Sequence, residues 1–182
     1  MRLGFCLFLI SFSLQAKNLQ FMSYNVENLF DTKHDVINHM DKLDWTFLPK
    51  GSPGKKEACL GEKNKHHQKE CLATDWTEEK LQLKLSQIKE VVTSERSLPD
   101  FLGLVEVENE KVVGQLAKKL GYENFEITQS PDKRGIDVAL LYRKSKDIKK
   151  IAKIEHDVPV DYPTRNILEV QFLIAQKYPL TI

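Results

Sequence analysis

The sequence predicts an α/β layered fold, and three observations carry that expectation. Two apolar segments, Phe21-Met22-Ser23-Tyr24-Asn25-Val26-Glu27-Asn28-Leu29-Phe30-Asp31 and Asp100-Phe101-Leu102-Gly103-Leu104-Val105-Glu106-Val107-Glu108-Asn109, read as strands in which polar side chains appear abruptly near the end. Two other stretches place apolar residues at helical spacing, one before and one after the second strand. Beyond residue 125 short apolar runs succeed one another without a further helix.

Taken in order, the first strand covers residues 19–25. Residues 31–74 read as a long irregular stretch rich in Lys, Gly, Pro, Asn and His, and the turn-dense 47–54 segment cannot continue a helix. A loop of that length in a compact domain is functional or an insertion. Asp75 and Glu78 form a capping box that opens a helix, with Leu81, Leu85, Ile88, Val91 and Val92 on one face. Ser97-Leu98-Pro99-Asp100 ends that helix and feeds the strand over 101–107. Residues 110–120 make a second amphipathic helix, with Gly121 as its C-terminal cap. Strands follow over 125–128, 136–142, 148–155 and 166–175. A turn over 176–179 then leads into a strand beginning at Leu180.

With 182 residues, less a short leader, the chain has the length of one domain. A formal net charge of +1 excludes a strongly basic domain and leaves room for a local basic groove. Lys144, Lys146, Lys149, Lys150 and Lys153, interrupted by Asp147, read as a solvated face. Residues 1–16 have the pattern of a secretory signal peptide: Arg2, an apolar run over 3–14, and Ala16 before Lys17. The run is too short to span a bilayer comfortably. The expectation is a mature domain over 17–182, periplasmic or secreted. Cys6 would leave with the leader. Cys59 and Cys71, flanking a short polar stretch, then read as a disulfide, which would contribute about 3 kcal/mol on the chain-entropy model. A zinc site built from the two cysteines with His66 and His67 is the rival, although the spacing matches no familiar finger.

Strands buried on both faces are near-continuous apolar runs, so Asn25 and Glu106 at strand ends need a reason. Neighbouring strand ends can bring an amide and a carboxylate to one rim of a sheet, and such oxygen donors suit Mg²⁺. The local alternative makes Asn25 a turn residue and Glu106 a solvated one.

Four motifs in sequence also carry a resemblance. Ser23 to Asp31, then Leu104-Val105-Glu106, then Arg134-Gly135-Ile136-Asp137-Val138-Ala139-Leu140-Leu141-Tyr142-Arg143, then Thr164-Arg165-Asn166-Ile167-Leu168-Glu169-Val170 resemble the endonuclease/exonuclease/phosphatase superfamily. That resemblance implies a deoxyribonuclease I-like four-layer α/β/β/α sandwich, here incomplete at the C-terminus. The family's later Asn-His, Asp-x-Asn and Asp-His motifs do not follow in this chain. The expectation is therefore the N-terminal portion of such a domain, inactive alone.

By resemblance Glu106 is the primary metal ligand and Asn25 completes the shell around metal and phosphate, the cofactor being Mg²⁺ or Mn²⁺. Arg165 is the further catalytic candidate and, with Arg134, binds substrate phosphate, the alternative for Arg165 being a structural ion pair. Asp137 is expected to orient Arg134 or a backbone turn, while Tyr142 and Arg143 end their strand. Glu27 and Asp31 are candidates behind the ligands, or loop residues solvated for local reasons. His34, His39 and His156 do not correspond to the family's catalytic histidine. The leading function is an exported, metal-dependent nuclease acting on phosphodiesters of nucleic acid. The alternatives are a phosphatase or lipid-headgroup phosphodiesterase, or a non-catalytic secreted binding module. Trp45, Phe47 and Leu48 are the sequence's hint of a membrane-docking loop and fit a core equally.

Overall fold

Chain order begins with strand β1 (Phe21–Leu29), a short antiparallel pair β2 (Val36–Ile37) and β3 (Met40–Asp41), and a 3-10 turn over Trp45–Phe47. Helices α1 (Lys55–Gly61), α2 (Lys65–Ala73) and α3 (Glu78–Thr93) follow, then β4 (Phe101–Val107) and α4 (Glu110–Leu120). The chain continues through β5 (Asn124–Ile127), β6 (Asp137–Tyr142), β7 (Ile148–His156), β8 (Ile167–Ile174) and β9 (Tyr178–Thr181). This computed structural model describes residues 18–37, 40–94 and 97–182. The expected leader, 1–16, and His39 lie outside the described residues.

One sheet has the order β1-β4-β6-β5, with β1 parallel to β4 and the other neighbours antiparallel. A second, antiparallel sheet has the order β7-β8-β9. Side chains alternate across a strand, so the first sheet buries both faces. Leu102, Leu104, Val107, Ala139 and Leu141 pack beneath Leu81, Leu85, Ile88 and Val92 of α3 and Val112, Val113 and Leu116 of α4. Phe101, Leu140 and Tyr142 meet Ile148, Val170 and Phe172 on the other face, joining the two sheets. Phe172 sits edge-on to both Phe101 and Tyr142, at ring separations of 5.0 and 5.1 Å. Truncating one fully buried leucine in such a core to alanine costs roughly 2–5 kcal/mol. Helices, sheet and sheet are thus stacked as an α/β sandwich, while Ile154 and Ile167 stay exposed on the second sheet.

Several sequence expectations change here. The 31–74 stretch is not irregular: it holds the β2–β3 pair, the 3-10 turn and helices α1 and α2. Cys59 on α1 and Cys71 on α2 are both buried and disulfide-bonded, with their Cα atoms 5.5 Å apart. Lys55 is buried and its ammonium donates to the carbonyls of Thr46, Leu48 and Thr74, so one cation gathers three turns of the excursion. Burial lowers its pKa, with Asp75 opposing. Phe47 stacks on Phe30 and meets Trp76 edge-on, Trp45 stacks on His34, and Leu48 is buried. This aromatic group fastens the excursion to the domain rather than forming a docking loop.

The capping box is also corrected. Thr77, not Asp75, caps α3 by accepting from Lys80 N, because Asp75 is spent on the backbone N–H of Lys50. Val91 stays half-exposed beside the buried Val92. The β8–β9 turn comes one residue earlier than expected, with Ala175 and Gln176 at positive φ (49° and 59°) and Lys177 N closing on Ile174 O. Gly121 caps α4 as its sequence position implies, at φ 91°. Among the described residues no helix is long and apolar enough to cross a membrane.

Candidate active site

β1 runs on past Asn25 to Leu29, farther than its sequence implies, because the chain bulges where the polar residues begin. Asn25 pairs with Val105, and pairing resumes only at Leu29 with Val107. Residues 26–28 of β1 therefore face the single residue Glu106 of β4. On the other side of β4, Val105 pairs with Val138 and Val107 with Asp137, leaving Glu106 again as the extra residue. Glu27, Asn28 and Glu106 all have positive φ, at 53°, 64° and 67°. Each such non-glycine residue costs roughly 1–2 kcal/mol, so the strain gathers at adjoining strand ends. Bulges of this kind re-aim side chains at the rim of a sheet.

Asn25 and Glu106 thus lie at adjacent register positions on the C-terminal rim of neighbouring parallel strands. Asn25 Oδ1 accepts from Glu27 N at 2.8 Å. The Glu106 carboxylate is 3.8 Å from Arg165 Nη1, an ion pair too long to be a hydrogen bond. That Nη1 is buried and has no hydrogen-bond partner among the described residues. Arg165 precedes β8, so the second sheet delivers it to the rim of the first.

Arg134 comes from the loop before β6. Asp132, not Asp137, orients it: Asp132 accepts from Arg134 Nε at 3.1 Å and from Nη2 at 2.7 Å. Burial alone would raise the Asp132 carboxyl, but the bonds from Arg134 and the charges of Arg134 and Arg165 outweigh it and hold it below the usual carboxylate range. The Arg134 guanidinium is raised by its hydrogen bonds to Asp132, with Glu106 and Tyr162 adding to the effect. Asp137 instead accepts from Thr128 Oγ1 and Ser130 N, and desolvation raises its pKa. The buried Lys42 ammonium holds the same loop through the carbonyls of Asp132 and Ser130. Gly135 at φ 74° lies against the Lys42 stem, where an added Cβ would be 3.5 Å away. Tyr142 closes β6 in the inter-sheet core, and Arg143 ties the strand end to the carbonyls of Leu98 and Pro99.

Behind the rim lies a buried polar group of which sequence reasoning singled out Asp31 and missed Glu108, Asn109, Asp35 and Asp44. Asp31 Oδ2 accepts from Lys111 Nζ at 2.8 Å, and Asp31 N donates to Glu108 Oε2 at 2.7 Å. Asp44 accepts from Asp35 N and pairs with His34, so His34 serves the excursion. Burial raises the Asp44 pKa against the bonds from Asp35 and His34. Burial first, then the charges of Asp31, Asp35 and Asp44, push Glu108 up to about 9, so it is protonated at neutral pH. The available signal was the Glu108-Asn109 pair directly after β4, two polar residues where a buried strand enters a helix. His156 pairs with Glu169 on the second sheet, at 2.7 Å. Among the described residues no group of three or more His, Cys, Asp or Glu side chains is gathered to hold a metal alone.

A family model described as the endonuclease/exonuclease/phosphatase family matches residues 20–177. No curated protein and no solved structure matches the chain. The matched span contains both bulged strands, both helices that pack on them and the two arginine-bearing loops. This chain belongs to the endonuclease/exonuclease/phosphatase family.

Proposed function

We propose that this rim holds a divalent cation, Mg²⁺ or Mn²⁺, beside a phosphodiester, and that the protein is an exported nuclease. Members of the family generally depend on divalent metals and act on phosphoesters. Arg165 carries the reading: among the described residues its buried Nη1 has no hydrogen-bond acceptor, yet it faces the Glu106 carboxylate at 3.8 Å. A buried donor left open in this way has room for a partner from outside the protein, and an anionic phosphate oxygen is the one that matches a guanidinium.

The donor set fits a hard cation. Glu106 offers a carboxylate, and Asn25 Oδ1 keeps a second lone pair after accepting from Glu27 N. Mg²⁺ is commonly held by one or two carboxylates, with water and phosphate oxygens completing its octahedron. A bound cation supplies Lewis-acid stabilisation of the phosphoryl oxygens. Arg165 presents charge-assisted donors to a phosphate oxygen, and Arg134, fixed by Asp132, keeps a second positive charge near the rim. The leader pattern of residues 1–16 supports export, as does the Cys59–Cys71 disulfide, since disulfides persist in oxidising compartments.

The test is binding, read separately for cation and substrate. Mn²⁺ titration followed by electron paramagnetic resonance should show a site that Glu106→Gln removes. A labelled oligonucleotide should bind in the presence of Mn²⁺, and Arg165→Met should lose it while keeping the cation. Equal Mn²⁺ binding by wild type and Glu106→Gln would overturn the assignment. Preference for a phosphomonoester or a lipid-headgroup phosphate over the oligonucleotide would move the substrate to the phosphatase or phospholipid class.

A further inference from the structure

We propose that Lys84 of α3 is a positioning residue for the metal-binding rim, setting the orientation of Asn25 through the β1 bulge. The inference rests on the functional reading above and adds a residue to it.

The bulge creates a hydrogen-bonding problem. Residues 26–28 of β1 stand opposite one residue of β4, so β4 cannot supply donors for the surplus carbonyls. Lys84 supplies them, its Nζ donating to Glu27 O at 2.5 Å and to Asn28 O at 3.2 Å. These are the two successive residues of β1 with positive φ. A single flexible side chain from another element thus stabilises both left-handed residues at once. It is itself held in place: Lys84 is only partly exposed, and its ammonium lies 5.9 Å from the centre of the Trp76 ring.

The bulge in turn controls Asn25. Glu27 carries its carbonyl on Lys84 and its N–H on Asn25 Oδ1, at 2.8 Å. Rotation of Glu27 out of its left-handed conformation would withdraw that N–H and free the Asn25 amide to turn. Lys84 therefore acts on Asn25 through one residue, Glu27, while its charge also faces the Glu27 and Glu106 carboxylates. Groups that orient a metal ligand in this way commonly alter metal affinity 10–100-fold when removed.

The experiment compares Lys84→Met, Lys84→Arg and Lys84→Gln with wild type, and uses Lys89→Met, an exposed lysine of the same helix, as the control. The readouts are the Asn25 side-chain amide resonances and Mn²⁺ affinity, with thermal midpoints checked for each variant. Lys84→Met should shift the Asn25 resonances and weaken Mn²⁺ by about tenfold. Lys84→Arg, which keeps the donors, should restore both in large part, and Lys89→Met should change neither. Asn25 resonances unchanged in Lys84→Met would overturn the proposal. Should Lys84→Met fail to fold, Lys84→Gln decides by the same signals, since a single shortened amide cannot span both carbonyls. A wild-type chain that binds no Mn²⁺ would refute the cation site alone, and the Asn25 resonances would still decide the role of Lys84.

Discussion

Asn109 Nδ2 donates to Asp35 Oδ2 at 2.8 Å while the Oδ1 of the same amide accepts from the N–H groups of Lys111 and Val112. One side chain therefore caps α4 and fastens the excursion after β1 to the end of β4. The same Nδ2 also lies 3.2 Å from Glu108 Oε2 and 3.5 Å from Asp31 Oδ2, so it is the shared donor among three carboxyls.

Asn109→Ala should destabilise the protein by about 2 kcal/mol, from a lost cap together with acceptors left without their donor. Asn109→Asp keeps the cap but adds a carboxylate to the cluster. It should be the worse variant at neutral pH and recover as the pH falls. Urea unfolding at pH 5 and pH 8 checks the order, and an Asn109→Asp chain as stable as wild type at pH 8 would contradict this account.

Stability of the metal-free chain should fall as the pH rises toward 9. Burial holds the folded Glu108 carboxyl protonated up to about 9, against an ordinary value of 4.5. The unfolded chain releases that proton above 4.5, so the folded state binds the extra proton through this window. Its contribution is complete below 4.5 and is lost as the pH climbs through the folded value. Glu108→Gln, neutral at every pH, should give a flatter profile of urea midpoint against pH in the presence of EDTA. Parallel profiles for the two proteins would show that Glu108 is not the titrating group.

Glu106→Gly should separate stability from binding. Glycine accepts the 67° φ of this position without strain but carries more entropy into the unfolded chain. The net gain should be about 0.5 kcal/mol, with Mn²⁺ binding abolished. A clear loss of stability would mean that the Glu106 carboxylate contributes more to the fold than to the site.

Cys59→Ser with Cys71→Ser should lower stability by about 2–4 kcal/mol, because the paired thiols join two short helices that have little core of their own. Alkylation of the oxidised wild type under denaturing conditions should label neither Cys59 nor Cys71.

The strand and helix sequence was largely legible because it depends on local periodicity. Leu81, Leu85, Ile88 and Val92 recur at helical spacing, and 101–107 is too apolar for a surface segment. Asn25 and Glu106 stood out for the same reason, as polar residues set against an apolar background. The excursion after β1 was less legible. Its helices are short and lack apolar periodicity, and a disulfide, the Lys55 ammonium and an aromatic stack hold them together.

The amino-acid order by itself determined the cores of the main strands, which faces of α3 and α4 are buried, and which polar residues interrupt the apolar runs. Tertiary structure alone decided their partners. Lys50 N takes up Asp75 from 25 residues away, which leaves Thr77 to cap α3, and Lys84 spans from a helix to carbonyls 56 and 57 residues earlier. The physical reason is range. Periodicity is fixed within a few residues, whereas a hydrogen bond between distant groups exists only after packing has set both ends at about 3 Å.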